Sequence, residues 1–147
     1  LRHVETVDIY LEPVALAWQF ADSQIEKDMG QAIICCAALN GGIPPRVIRP
    51  DASLIADTPL IVAPQRRIGD YRADFAIICN TTGRRLVVEC DGHEFHEKDT
   101  QRHRDKARDR YLLTRGWPVM RFTGAEITRQ IDLCLKDVVA YLTGDPA

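Results

Sequence analysis

Asp74 and Glu89 are the residues on which a chemical reading of this chain turns. They lie in two alternating apolar stretches, residues 71–79 and 85–91, joined by Asn80-Thr81-Thr82-Gly83, a sequence of hairpin-turn composition. A turn centred between Thr81 and Thr82 sets Asp74 opposite Glu89 and Arg72 opposite Asp91, with paired Cβ atoms about 5 Å apart. Period two then puts Ala73, Phe75, Ile77, Leu86, Val88 and Cys90 on the other face, as core. Two acids directly opposed repel, and an ordinary sheet avoids that pairing. A divalent cation held by hard oxygen ligands offsets the repulsion, and Mg²⁺ takes one or two carboxylates together with phosphate and water. Two plainer readings stay open: Arg72 neutralises the cluster, or a bulge shifts the register.

The second stretch ends on Asp91-Gly92-His93-Glu94-Phe95-His96, an acid and two imidazoles gathered where a strand breaks. Functional groups collect at strand ends in α/β folds. Beyond it, residues 98–115 carry seven Lys and Arg against three Asp, a local net charge of +4 in a chain whose overall charge is −2. Such a block suits an anionic partner, although Asp105 and Arg108 also have the spacing of an ordinary helical surface pair. On a helix, Arg102, Lys106 and Arg110 fall along one stripe.

The elements that position these groups read as one α/β unit. The 147 residues are 46% apolar and 27% charged, which excludes a disordered chain, and no apolar run reaches the roughly 18 residues of a membrane span. The five cysteines form no CxxC pair and sit mostly in apolar stretches, as in a protein of the reducing cytoplasm. Residues 1–22 read as an N-terminal extension holding a strand or short helix, and residues 23–147 as the domain. Ser23-x-x-Glu26 is a capping box that opens a helix running to Asn40-Gly41-Gly42. Residues 60–63 form a short strand stopped by Pro64, and the hairpin follows. Residues 99–115 make a helix ended by Gly116; residues 117–122 make a strand. A last helix carries Ile127, Ile131, Leu135, Val138 and Leu142 on one side. The expected fold is therefore a mixed four-stranded sheet flanked by helices, in the order α-β-β-β-α-β-α.

Three segments together resemble a known superfamily: Arg72-Ala-Asp74-Phe75; Leu86-Val-Val-Glu89-Cys-Asp91-Gly92-xxx-His96; and Arg110-Tyr-Leu-Leu-xx-Gly116-Trp-Pro-Val-Met-Arg121-Phe122. The combination is similar to the PD-(D/E)XK nucleases, and within them to Vsr-like, restriction-endonuclease-like domains, over about residues 22–142. The resemblance implies a restriction-endonuclease-like core and a metal-dependent DNA endonuclease using Mg²⁺ or Mn²⁺. It puts metal ligands at Asp74, Glu89 and the backbone carbonyl of Cys90. It makes Glu26 the acid that such domains often carry in the first helix. At such a site the basic block would hold flanking phosphates through Arg102, Lys106 and Arg110, while Arg121 either contacts a further phosphate or pairs with Glu126. Asp91 stands where the usual motif has Lys, as the Vsr-like branch also tends to have an acid. His96, Lys98 and Lys106 are then candidates for the missing cation. The same departure supports an alternative, a nuclease-fold module that binds nucleic acid or a protein partner without cutting. The sequence leaves the oligomeric state open, a homodimer included.

Overall fold

The computed structural model describes residues 2–92 and 99–144. Their elements are α1 (Arg2–Phe20), α2 (Gln24–Ile34), α3 (Ala37–Asn40), β1 (Arg46–Val47), β2 (Leu60–Ile68), β3 (Tyr71–Cys79), β4 (Arg84–Asp91), α4 (Asp99–Thr114), β5 (Val119–Thr123) and α5 (Gly124–Thr143). The sheet has five strands in the order β1-β2-β3-β4-β5, one more than expected. The added strand is the two-residue β1, parallel to β2 at Arg46↔Ile61 and Val47↔Val62. Its Pro-rich surroundings hide so short a segment from any periodicity argument. β2, β3 and β4 are antiparallel neighbours, while β5 joins β4 in parallel after the α4 crossover.

Each helix end has a local cause. Ser23 caps α2 by accepting a hydrogen bond from the Glu26 amide at 3.3 Å. The helix expected to run to residue 40 stops at Ile34 instead. Asn40, fully buried, donates from its side chain to the orphan Ile34 carbonyl at 2.8 Å, which stabilises a break before α3. Thr123 and Glu126 form a reciprocal capping box at the start of α5. The N-terminal segment is neither a strand nor a short helix: α1 spans 19 residues, and Ala17 reaches the main core.

Core lies on both faces of the sheet, which corrects the one-core-face reading of the hairpin. Phe75, Ile77, Leu86 and Val88 meet Met29, Ile33, Val138 and Leu142 from α2 and α5. Ala73, Ala76 and Val87 instead meet Leu112 and Trp117 on the α4 side. Ala73 and Phe75 should share a face by period two, and they do not. The cause is across the strand, where Gln65 has φ +51, the left-handed region. The β2–β3 ladder runs to Pro64↔Phe75 and resumes at Arg66↔Ala73, with no pair at Gln65 and Asp74. For a non-glycine residue this conformation costs roughly 1–2 kcal/mol, so the contacts of Gln65 must hold it. Pro64 does not stop the strand either. β1 pairs only as far as Val62, so Pro64 is on an open edge where its missing N–H goes unneeded.

Candidate active site

The β3–β4 hairpin has the register read from the turn, from Cys79↔Arg84 to Phe75↔Val88. Gly83, at φ +77, closes the four-residue turn and donates to the Cys79 carbonyl at 2.8 Å. Beyond Phe75↔Val88 the ladder stops, and side chains take over. The Cys90 amide donates to Asp74 Oδ2 at 2.8 Å, so the Asp74 carboxylate bridges the strands where a backbone pair would otherwise form. Glu89, 5% exposed, lies close enough to Asp74 for the two acids to repel each other.

Glu26 brings a third acid to the same place. One of its oxygens, Oε2, stays with the helix start, accepting from the Asp22 amide at 2.6 Å and the Ser23 hydroxyl at 3.3 Å. The other, Oε1, accepts from Gln65 Nε2 at 2.6 Å, and that amide also reaches Asp74 Oδ1 at 3.5 Å. Glu26, 4% exposed, thus serves the cap and the site at once. These contacts hold the left-handed Gln65, and they place Asp74 toward α2 rather than in plain alternation.

The electrostatics follow from burial and crowding. Burial first, and Asp74 second, push the Glu26 carboxyl from 4.5 to about 7. Burial and repulsion by Asp74 push Glu89 up to about 8, although Arg108 and Arg121 pull the other way. The Cys90 thiol is also driven up, by burial and then by the three acids, so it is a neutral packing group and no nucleophile.

The basic residues divide. Arg102, Lys106 and Arg110 are exposed along the outer side of α4. Arg121 faces inward and pairs with Asp109 through two nitrogens, at 2.8 and 3.3 Å, tying α4 to β5. Asp91 is half-buried at the end of β4, beside Thr123 of β5. His96 and Lys98 lie outside the described residues. Two site residues escape a reading of the sequence. Gln65 gives no sequence signal, since its role comes from a backbone turn. Arg108 pairs with Glu89 and donates to the Arg72 carbonyl at 2.7 Å. Its signal is present, because Asp105, Arg108, Asp109 and Leu112 have the spacing of one inward helix face.

A five-stranded mixed sheet flanked by helices, with Glu89 buried and Asp74 half-buried on its central hairpin, is the architecture of a restriction-endonuclease-like domain. Residues 52–142 match the REase_MTES_1575 family, and the chain belongs to that restriction-endonuclease-like family. It is also 32% identical over 78 residues to an uncharacterized protein of Haemophilus influenzae, across 53% of this chain. The chain spans 60% of the length of that relative.

Proposed function

We propose that the chain is a divalent-metal-dependent DNA endonuclease of the PD-(D/E)XK, Vsr-like kind. The observation that carries this reading is the gathering of acids at the hairpin's end: Asp74, held by the Cys90 amide and by the Gln65 amide that also binds Glu26, beside the buried Glu89. Among the described residues, no three His, Cys, Asp or Glu side chains form a ready-made metal cage. Mg²⁺ does not require one, since it keeps waters and substrate phosphate oxygens beside one or two carboxylates. The hard-oxygen donors fit Mg²⁺ or Mn²⁺, which Asp74, Glu89 and the Cys90 carbonyl would hold. When bound, such an ion supplies Lewis acidity to the phosphate and a more acidic water.

The chain's own residues do the rest. Glu26 and Gln65 hold one side of Asp74, and the Cys90 amide holds the other, so its carboxylate is oriented before substrate arrives. Beside the site an open groove of about 600 Å³ is lined by residues including Phe20, Asp22, Gln65, Arg67 and Arg72. Arg67 and Arg72 are opposed across β2 and β3 at the groove; Arg72 pairs there with Asp22 at 3.4 Å, and Arg67 offers positive charge to a phosphodiester backbone. Among the described residues no helix is long and apolar enough to cross a membrane, and we place the chain in the cytoplasm with its nucleic-acid substrate.

Cleavage of supercoiled and branched DNA in Mg²⁺ or Mn²⁺, abolished by EDTA, tests the proposal. Asp74→Asn should remove cleavage entirely. The metal-free variant should fold at least as stably as the wild type, because one of the clustered charges has gone. If Asp74→Asn unfolds the domain, Asp74 is a structural residue. The second reading, a module that binds without cutting, rests on Asp91 standing where the resembled motif has Lys. Tight binding to the same DNA without cleavage in either metal would establish it.

A further inference from the structure

Arg108 is engaged at the site by more than a surface pair requires. One terminal nitrogen serves both Glu89 Oε1 and the Arg72 carbonyl, and the guanidinium lies 5.7 Å from the centre of the Tyr71 ring. Tyr71 is itself held edge-on by Tyr111 of the same helix, ring centres 5.1 Å apart. The Arg108 Nε is buried and has no hydrogen-bond partner among the described residues. A guanidinium presents five donors in a fixed fork suited to the two oxygens of a phosphate or carboxylate. Here part of that fork is unused, beside the buried Glu89.

A divalent ion held by Glu89 would take the carboxyl oxygen that Arg108 now contacts. We propose that Arg108 is the resident counterion of the metal-free site, displaced from Glu89 by the divalent ion and then directed at the substrate phosphate. The inference rests on the nuclease reading and deepens it. It assigns to the inward face of α4 the positive charge that Asp91 cannot provide in place of the motif's Lys. It also makes the site self-regulating: without the ion, the guanidinium is committed to Glu89 and adds nothing to phosphate binding.

Two measurements on the full chain test this, with circular dichroism confirming the fold of each variant. The first is direct Mn²⁺ binding. Without its competitor Glu89 should bind the ion more tightly, so Arg108→Gln should gain on the order of tenfold in Mn²⁺ affinity. Arg108→Lys, whose compact ammonium cannot reproduce the fork, should fall between that variant and the wild type. It carries the test alone if Arg108→Gln fails to fold. Unchanged or weaker Mn²⁺ binding in the folded variant overturns the proposal. The second measurement is affinity for a cleavage-resistant phosphorothioate duplex. In EDTA, Arg108→Gln and wild type should bind alike; in Mn²⁺ the variant should bind on the order of tenfold more weakly. An equal weakening in both conditions means that Arg108 is an ordinary phosphate contact, and the hand-over is wrong. If the wild type binds no Mn²⁺, the nuclease reading and this inference fall together. If the wild type binds Mn²⁺ and neither variant gains affinity, only the role of Arg108 falls.

Discussion

The two faces of the sheet are built differently. Under α1, α2 and α5 lies a large apolar core, with Met29, Ile33, Val138 and Leu142 fully buried against Phe75 and Ile77. Under α4 the apolar contact is narrow, centred on Leu112 and Trp117. That helix is tied down by ions instead: Arg108 to Glu89, and Asp109 to Arg121. Burial of apolar surface is nondirectional and leaves a helix firmly in place, whereas ion pairs depend on what else competes for their charges. One face is thus a scaffold. The other is a helix whose attachment passes through the site's own carboxylate, so that a ligand of Glu89 also acts on α4.

The sharpest way to break this contrast is to remove one apolar anchor from each face. Phe75→Ala, on the scaffold side, should cost about 3–5 kcal/mol and lower the stability of the whole domain. Leu112→Ala falls in a class that costs about 2–5 kcal/mol, and much of its effect should be local. Hydrogen exchange should speed up in α4 well before it does in β3 or α5. Equal acceleration across all three elements would show that α4 is part of one cooperative core and that the two faces do not differ.

A smaller effect is expected from pH. The Glu89 carboxyl in the folded chain titrates near 8 against 4.5 ordinarily, and Glu26 near 7, so the folded state binds these protons more tightly than the unfolded state does. Their contribution is therefore full below pH 4.5 and declines as pH rises, to be lost for Glu26 above about 7 and for Glu89 above about 8. In EDTA, the free energy of unfolding should fall between pH 5 and pH 9, by on the order of several kcal/mol in total. Glu89→Gln should flatten most of that slope above pH 7. A slope that persists in this variant would place the titrating group elsewhere. Added Mn²⁺ should reverse the trend, because the ion binds the ionised carboxylates.

How much of this is legible in the sequence follows the same division. The hairpin register from Cys79↔Arg84 to Phe75↔Val88 comes from a turn of defined composition and the two-residue period of strands. The α4 helix and its outer stripe come from spacing. What the sequence does not show depends on single backbone events without a periodic trace. The left-handed Gln65 moves Ala73 to the other face and turns Asp74 toward Glu26. A two-residue strand completes the sheet. Glu26 itself has two readings, cap or site, and both hold because a carboxylate has two oxygens. Arg108 is hidden for a simpler reason: in a run with so many charges, an inward Arg is told from an outward one only by following the helix face through Leu112.

The outer stripe of α4 gives the smallest expected effect and the finest test of the contrast. Arg102, Lys106 and Arg110 are exposed on the side of α4 away from the sheet, while Arg108 and Asp109 are turned inward. If α4 handles DNA with its outer side, replacing all three with Gln should weaken binding to every DNA sequence by a similar factor. The dependence of log affinity on log salt should also become shallower, by about 0.9 for each duplex phosphate that the variant no longer neutralises. Stability should scarcely change, since exposed charges of this kind contribute at most about 1 kcal/mol each. An unchanged salt slope would move the phosphate track to the other side of the site. Arg66 is held there by the Pro50 and Ala52 carbonyls, and Arg121 is committed to Asp109. Arg67, at the rim of the groove, would then carry the backbone, joined by Arg72 on its release from Asp22, and Gln at those two positions should produce the missing change in slope.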